Sequence, residues 1–331
     1  MQCAMCSTPI RDNCRQFSIA ETMFQIGRNF KYSECSHCLS LNLIEPISAE
    51  TPLYPENYYS FSKDPLEVFN SFLPRLIASF LGRLAFNGRG SVLRFVQSRA
   101  PIREIRTLAS MLIAVSSARS KIPFQRILDV GTGSGVLPFV VSLAKPEYVL
   151  GIDPFLASKK SIGCFELQQS HILQITDSFD LILFNHSLEH LENIRGSLSH
   201  AREILSNNGR IIVRIPTVSS YAWEHYRESW FQLDAPRHLC IPSREGLAQL
   251  AKSCGLEIET SFDDSTESQF WLSEVIKNGM STMDPSTKFS TFRTSTFSKT
   301  EMRKMRAKAK SLNESKNGDQ TVLILRKPAV S

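Results

Sequence analysis

No apolar run in this chain approaches the ~18 residues that a bilayer-spanning helix needs, so the sequence carries no transmembrane helix. The opening, Met1-Gln2-Cys3-Ala4-Met5-Cys6, does not read as a secretory leader, and a cytoplasmic location is the expectation. Charge of one sign is not in great excess either. The 38 Lys and Arg against 32 Asp and Glu leave +6 on 331 residues, which does not by itself call for nucleic acid. Internal repeats are absent. What is present is 42% apolar residues, enough for a sizeable core, and a length that exceeds the ~100–200 residues typical of one domain. The expected division is a small cysteine-bearing element at 1–45, an aromatic linker and helical connector at 46–122, and a main domain at 123–331.

The main domain is organised around Ile127-Leu128-Asp129-Val130-Gly131-Thr132-Gly133-Ser134-Gly135-Val136-Leu137. A short apolar run ends in glycines at alternate positions and an apolar segment resumes, which predicts strand, tight turn and helix. Glycines let a ligand lie against bare backbone, and the helix N-terminus offers N–H groups to an anion. A second strand, Tyr148-Val149-Leu150-Gly151-Ile152, ends in Asp153, a carboxylate able to accept hydrogen bonds from both hydroxyls of a ribose. The spacing is not the dinucleotide Gly-x-Gly-x-x-Gly, and Asp129 stands two residues before the first glycine.

Eight cysteines in a chain of this kind point to metal ligation or buried thiols before disulfides. Cys3-x-x-Cys6 and Cys35-x-x-Cys38 form two knuckles whose four thiolates suit one tetrahedral, structural zinc. The segment between them, Phe17 to Tyr32, predicts a strand ribbon too small to bury a core alone. Cys14 and His37 are spare ligands; a redox pair and unrelated free cysteines are the competing readings.

Further along, Tyr54 to Phe61 is an aromatic, proline-punctuated linker from which Tyr58 is a candidate substrate contact. Residues 66–120 show helical periodicity with Phe72, Leu73, Leu76, Ile77 and Phe80 recurring at three and four. Between Arg75 and Arg126 ten Lys or Arg face a single acid, Glu104, which fits a solvated helix face, an anionic substrate or an anionic membrane surface. Phe179-Asp180-Leu181-Ile182-Leu183-Phe184 predicts a strand buried on both faces, ending in Asn185-His186-Ser187-Leu188-Glu189-His190. Ile194 to Leu205 predicts the crossover helix, and an Asn207-Asn208-Gly209 turn introduces the next strand, which closes on Pro216. Arg244 to Cys254 predicts a helix closed by Gly255, followed by strands at 256–260 and 321–325.

The glycine run resembles motif I of the class I S-adenosylmethionine-dependent methyltransferases, with Asp153 at that family's ribose-binding position. The resemblance is closest to the branch with an N-terminal zinc element, which is associated with sugar and cell-surface glycan (polysaccharide) biosynthesis. It rests on Tyr54 to Phe61, on Ser187-Leu188-Glu189-His190, and on Trp230 with Asp234-Ala235-Pro236-Arg237-His238-Leu239. It implies a doubly wound, mostly parallel, seven-stranded Rossmann-like α/β sheet whose last strand is antiparallel. The implied donor site comprises Asp129, Gly131, Gly133, Gly135, Asp153 and Asn185. No clear acid follows the third strand, where Glu166, Gln168 or Ser170 would read adenine, and the long C-terminal domain of the nucleotide-sugar C-methyltransferases is lacking.

Methyl transfer to a hydroxyl requires alignment and removal of a proton, for which an imidazole titrating near neutrality is suited. His238 is the first choice of base, His190 the second, with His186 one helical turn from His190. Trp230 is the expected wall for a sugar face, Arg237 the holder of an anionic group, and Asp234 the residue that orients either partner. Two other functions compete. A nucleic-acid methyltransferase would use the zinc ribbon and basic helices, but the fourth strand ends in Asn185-His186-Ser187-Leu188 and not Asn-Pro-Pro-Tyr. A non-catalytic binding module would not be expected to keep the glycines and Asp153.

Overall fold

A computed structural model describes residues 1–48, 51, 53–54, 64–100, 103–118, 124–283 and 297–329. Tyr58 lies outside the described residues.

The N-terminal element supplies β1 (Gln16–Ala20), β2 (Asn29–Glu34) and β3 (Leu41–Leu43). Alternate residues Phe17, Ile19, Phe30 and Tyr32 turn inward, as the period of two requires. Four helices follow, α1 (Pro65–Val68), α2 (Phe72–Phe86), α3 (Gly90–Arg99) and α4 (Arg103–Ser117). The main domain then runs β4 (Arg126–Val130), α5 (Val136–Ser142), β5 (Tyr148–Ile152), β6 (Lys160–Ile162), β7 (Phe165–Gln168), β8 (Phe179–Asn185), α6 (Ile194–Ile204) and β9 (Leu205–Pro216). It finishes with α7 (Tyr221–Tyr226), β10 (Cys240–Ile241), α8 (Arg244–Ser253), β11 (Glu257–Asp263), α9 (Ser268–Lys277), α10 (Lys299–Glu314) and β12 (Gln320–Arg326).

The large sheet has the order β11-β12-β9-β8-β4-β5-β7-β6. The five strands from β7 to β9 are parallel, and β12 runs antiparallel to both β9 and β11. The expected class I architecture is therefore present, with one addition: β6 pairs antiparallel with β7 and makes the sheet eight-stranded, not seven. A second difference lies at Asn207-Asn208-Gly209, which sits inside β9 as a shift in its register against β8 instead of forming a turn before it.

Each inner strand divides its residues between two cores, which is why its sequence is apolar throughout. Leu128, Ile182 and Phe184 face Leu198, Ala201, Leu247 and Leu250 of α6 and α8, whereas Ile127, Leu181 and Leu183 face Leu81, Leu112 and Val140 of α2, α4 and α5. Polar caps set the helix starts: Asn193 accepts from Gly196 N, Ser243 from Gly246 N, and Ser298 with Glu301 forms a capping box on α10.

The smaller sheet has the order β1-β2-β3-β10, all antiparallel, so a strand from beyond β9 completes the N-terminal element. The cysteine-bearing segment is thus hydrogen-bonded into the main domain.

Candidate active site and cysteine centre

Sheet order reverses at β4, whose neighbours are β5 on one side and β8 on the other, and ligands in open α/β sheets bind outside the strand ends at such a point. The three motif glycines all adopt positive φ there, 70° at Gly131, 54° at Gly133 and 85° at Gly135. A side chain at Gly131 would collide with Ser187 beyond β8, and one at Gly135 would come within 2.7 Å of Leu167. Glycine at these positions is thus a matter of both conformation and space.

Asp153 closes the turn. Its two carboxylate oxygens accept from Gly133 N and Phe155 N, each at 3.0 Å, which leaves further lone pairs on both. Burial raises its pKa. Thr132 Oγ1 donates to Asp129 Oδ2 at 2.8 Å, and burial pushes the Asp129 carboxyl up to about 7 despite that bond, with Asp153 adding repulsion. Asn185 Oδ1 accepts from Arg214 at 3.2 Å, and Arg214 is in turn paired with buried Asp264 at 2.6 Å. Of the adenine-edge candidates, Glu166 is engaged by Lys159 at 2.7 Å and Tyr148 at 3.2 Å, and Ser170 bonds Gln174.

The histidines converge beside this turn. His190 and His238 have ring centroids 4.6 Å apart. His186, with φ of 53°, places Nδ1 3.4 Å from Glu189 Oε1, and His238 Nε2 is 3.8 Å from the same oxygen. Only Leu188–His190 are helical, in a single 3-10 turn, so His186 and His190 flank Glu189 and do not share the face of an α-helix. Burial, then the neighbouring His190, brings His238 down to about 4 against the pull of Glu189 and Asp234. That corrects the expectation of a near-neutral base: His238 is uncharged throughout the physiological range. Burial would raise the Glu189 carboxyl, but His186, His238 and His190 hold it at about 2. Tyr54 joins the histidines to the donor side, its hydroxyl 3.2 Å from His190 Nδ1 and its ring 4.7 Å from that of Phe155.

Two acceptor-side expectations are corrected. Trp230 is 1% exposed, packs near Trp223 and donates Nε1 to Asp319 at 3.1 Å, so it offers no face to a ligand. Arg237 is also buried, and its guanidinium is taken by Glu21 at 3.0 Å and by Asp234 Oδ1 at 2.9 Å. Asp234, in a left-handed conformation, pairs with Arg237 and has Oδ2 4.0 Å from His238 Nε2. Glu189, Tyr54 and Glu21 were missed as site residues by sequence reasoning. An acid flanked by histidines was the available signal for Glu189; Glu21 had none.

The four knuckle cysteines come together as the spacing predicts. Cys3 and Cys38 have sulfurs 3.6 Å apart, Cys6 and Cys35 likewise, and all four lie within 4.8 Å of one another. Asn42 donates to Cys3, and Ser40 and Ser243 tie the cluster to the start of α8. Cys14 and His37 stand outside this cluster.

A glycine turn and a strand-end carboxylate at the switch point of this particular sheet define an S-adenosylmethionine-dependent methyltransferase of class I. A methyltransferase-domain family matches residues 69–261, more than half of the chain, and the chain belongs to that family. No curated protein matches. Among solved structures, an S-adenosylmethionine-dependent methyltransferase from Archaeoglobus fulgidus is 20% identical, with 70% of this chain and 98% of that one covered at a TM-score of 0.42. The cyclopropane synthase MmaA2 from Mycobacterium tuberculosis is 14% identical over 69% of this chain and 87% of its own, at a TM-score of 0.44. No helix among the described residues is long and apolar enough to cross a membrane.

Proposed function

We propose that the protein transfers a methyl group to a hydroxyl, or an activated carbon, of a small anionic metabolite: a sugar, a nucleotide sugar or a cell-surface glycan precursor. Bound S-adenosylmethionine supplies an electrophilic sulfonium methyl. The backbone of Gly131, Gly133 and Gly135 cradles the donor, with Asp129 fixing the turn through Thr132, and the spare lone pairs of Asp153 accept from the ribose hydroxyls. The observation that carries the acceptor chemistry is the contact chain Phe155–Tyr54–His190–His238, which sets an imidazole pair beside the donor turn. His190, the more exposed ring, receives the acceptor proton, because burial leaves His238 the weaker base. The sugar class rests on the resemblance of the N-terminal element and of the 230–239 segment.

We also infer a structural zinc in the cysteine cluster. Four thiolates at ~2.3 Å from a tetrahedral ion lie about 3.8 Å apart, close to the 3.6 Å spacing found. A closed set of four sulfurs leaves no open coordination position, so this ion takes no part in the transfer.

A second surface supports peripheral attachment to an anionic bilayer. On α2, Phe72 (81% exposed), Leu73, Leu76 and Phe80 are exposed, as are Arg75 and Arg83 of the same helix and Arg89 just after it. Exposed apolar side chains interspersed with arginines along one helix suit the interface of an anionic membrane.

The test of the principal reading is calorimetry with S-adenosylmethionine, followed by a methylation assay over nucleotide sugars and glycan precursors. Asp153→Ala is expected to weaken donor binding by roughly 1–3 kcal/mol. Equal affinity in the variant rejects the donor site; donor binding with methylation of other acceptor classes alone rejects the sugar reading.

A further inference from the structure

Glu189, His190 and His238 converge beside the donor turn. Glu189 is fully buried, and among the described residues neither carboxylate oxygen has a partner in hydrogen-bond geometry, His186 Nδ1 standing 3.4 Å from Oε1. The His238 ring has Nδ1 2.8 Å from Gln232 O, and the His190 ring has Nδ1 2.9 Å from Arg237 O. A carbonyl oxygen only accepts, so Nδ1 carries a proton in both rings, and Nε2 is the ring nitrogen left to bind a ligand. One ligand atom from each of Glu189, His190 and His238 lies within 4.8 Å of the others. A single contact from the partly exposed His186 ring pairs this fully buried carboxylate poorly, which costs several kcal/mol, so the cluster suits a positive charge at its centre.

We propose that Glu189, His190 and His238 bind a divalent transition-metal ion, separate from the four-cysteine centre. Two imidazoles and one carboxylate form a facial set that leaves open positions for a substrate oxygen. Backbone carbonyls that fix the tautomers, as those of Gln232 and Arg237 do here, are the usual support for metal-binding histidines. Ligands at ~2.1 Å from a common ion stand about 3.0–3.4 Å apart, so the 3.8 Å between His238 Nε2 and Glu189 Oε1 has to close by about half an ångström. The N-terminal element holds one side of the site, because Tyr32 donates to His238 O at 2.7 Å and Arg237 is paired with Glu21. The inference deepens the proposed transfer and rests on it for its purpose: an ion here would draw an acceptor hydroxyl to the cluster and acidify it, so that its proton passes to solvent water while His190 and His238 serve as ligands in place of the free-base role.

The experiment is a Mn2+ titration of the zinc-loaded full chain without acceptor, followed by electron paramagnetic resonance and calorimetry, with S-adenosylhomocysteine affinity measured in parallel. Mn2+ favours oxygen and nitrogen over thiolate, so the cysteine centre does not compete for it. The expected result is saturable uptake of one Mn2+ per chain, weakened at least ~10-fold by Glu189→Gln and by His190→Gln, with zinc content and S-adenosylhomocysteine affinity retained. His190 is partly exposed, so its variant decides the matter if Glu189→Gln does not fold. No saturable uptake by the unaltered protein, or uptake unchanged in a folded variant, overturns the cation site; intact S-adenosylhomocysteine binding in that case leaves the methyltransferase reading standing.

Discussion

Arg237 and Glu21, 216 residues apart in sequence, form an ion pair of 3.0 Å in which both side chains are 1% exposed. The pair joins the loop after β1 to the segment that carries His238, so the cysteine-bearing element builds one wall of the candidate active site. Glu21 also accepts from the amides of Met23 and Phe24, each at 3.0 Å, and Asp234 shares the guanidinium.

Removing Arg237 strands two buried carboxylates, and breaking a buried pair from one side typically costs ~3–5 kcal/mol. Arg237→Gln is therefore expected to lower stability in urea denaturation by about that much, and Glu21→Gln added to it is expected to restore part of the loss. An Arg237→Gln protein of undiminished stability that has lost only affinity for acceptor would return the arginine to the substrate.

Stability should also depend on pH through Asp129, whose carboxyl burial lifts from 3.8 to about 7. The folded state then binds a proton that the unfolded state has already released between about pH 4 and 7. Its contribution to stability accordingly falls as pH rises through that window and is flat above it. Asp129→Asn keeps the acceptor for Thr132 Oγ1 and removes the buried charge, so at pH 8 it is expected to raise stability by an amount on the order of 1–4 kcal/mol. Melting curves of both proteins at pH 5 and pH 8 check this: the gain must be larger at pH 8.

Much of this was legible in the sequence because it is local. The turn at Gly131 to Gly135, the buried strands on either side, the helix closed by Gly255 and each of the two Cys-x-x-Cys pairs follow from residues close together in the chain. The acceptor side was not, because its roles depend on partners far away in sequence. Trp230 and Arg237 carry the chemistry of ligand contacts, but Asp319 and Glu21 claim them, from 89 and 216 residues away. Burial of His238 displaced its titration in the same way, and the β10 pairing with β3 is too short for any periodicity to announce.

For the cysteine centre, we expect one zinc per chain in metal analysis of the purified protein. Cys35 is buried and its sulfur belongs to a closed set, so Cys35→Ser is expected to lose the zinc and, with it, the order of the small sheet. Because β10 and Tyr32 connect that sheet to His238, methyl transfer should fall along with the melting temperature, whereas Ser substitution of Cys14, outside the cluster, should alter neither. Zinc content unchanged in Cys35→Ser would remove the assignment.

The exposed face of α2 gives the last prediction. Phe72, Leu73, Leu76 and Phe80 are each more than half exposed, although burying one such side chain is worth ~1.5–3 kcal/mol. Arginines along the same helix contribute about 1 kcal/mol apiece near an anionic surface and nothing near a neutral one. Co-sedimentation should therefore show binding to vesicles rich in phosphatidylserine and little binding to phosphatidylcholine alone, with the difference shrinking as salt screens the charges. Phe72→Glu together with Phe80→Glu should abolish the binding without lowering the melting temperature, since neither ring packs in the core. Equal binding to both vesicle types, or binding that survives the double substitution, would show that the face meets something other than an anionic bilayer.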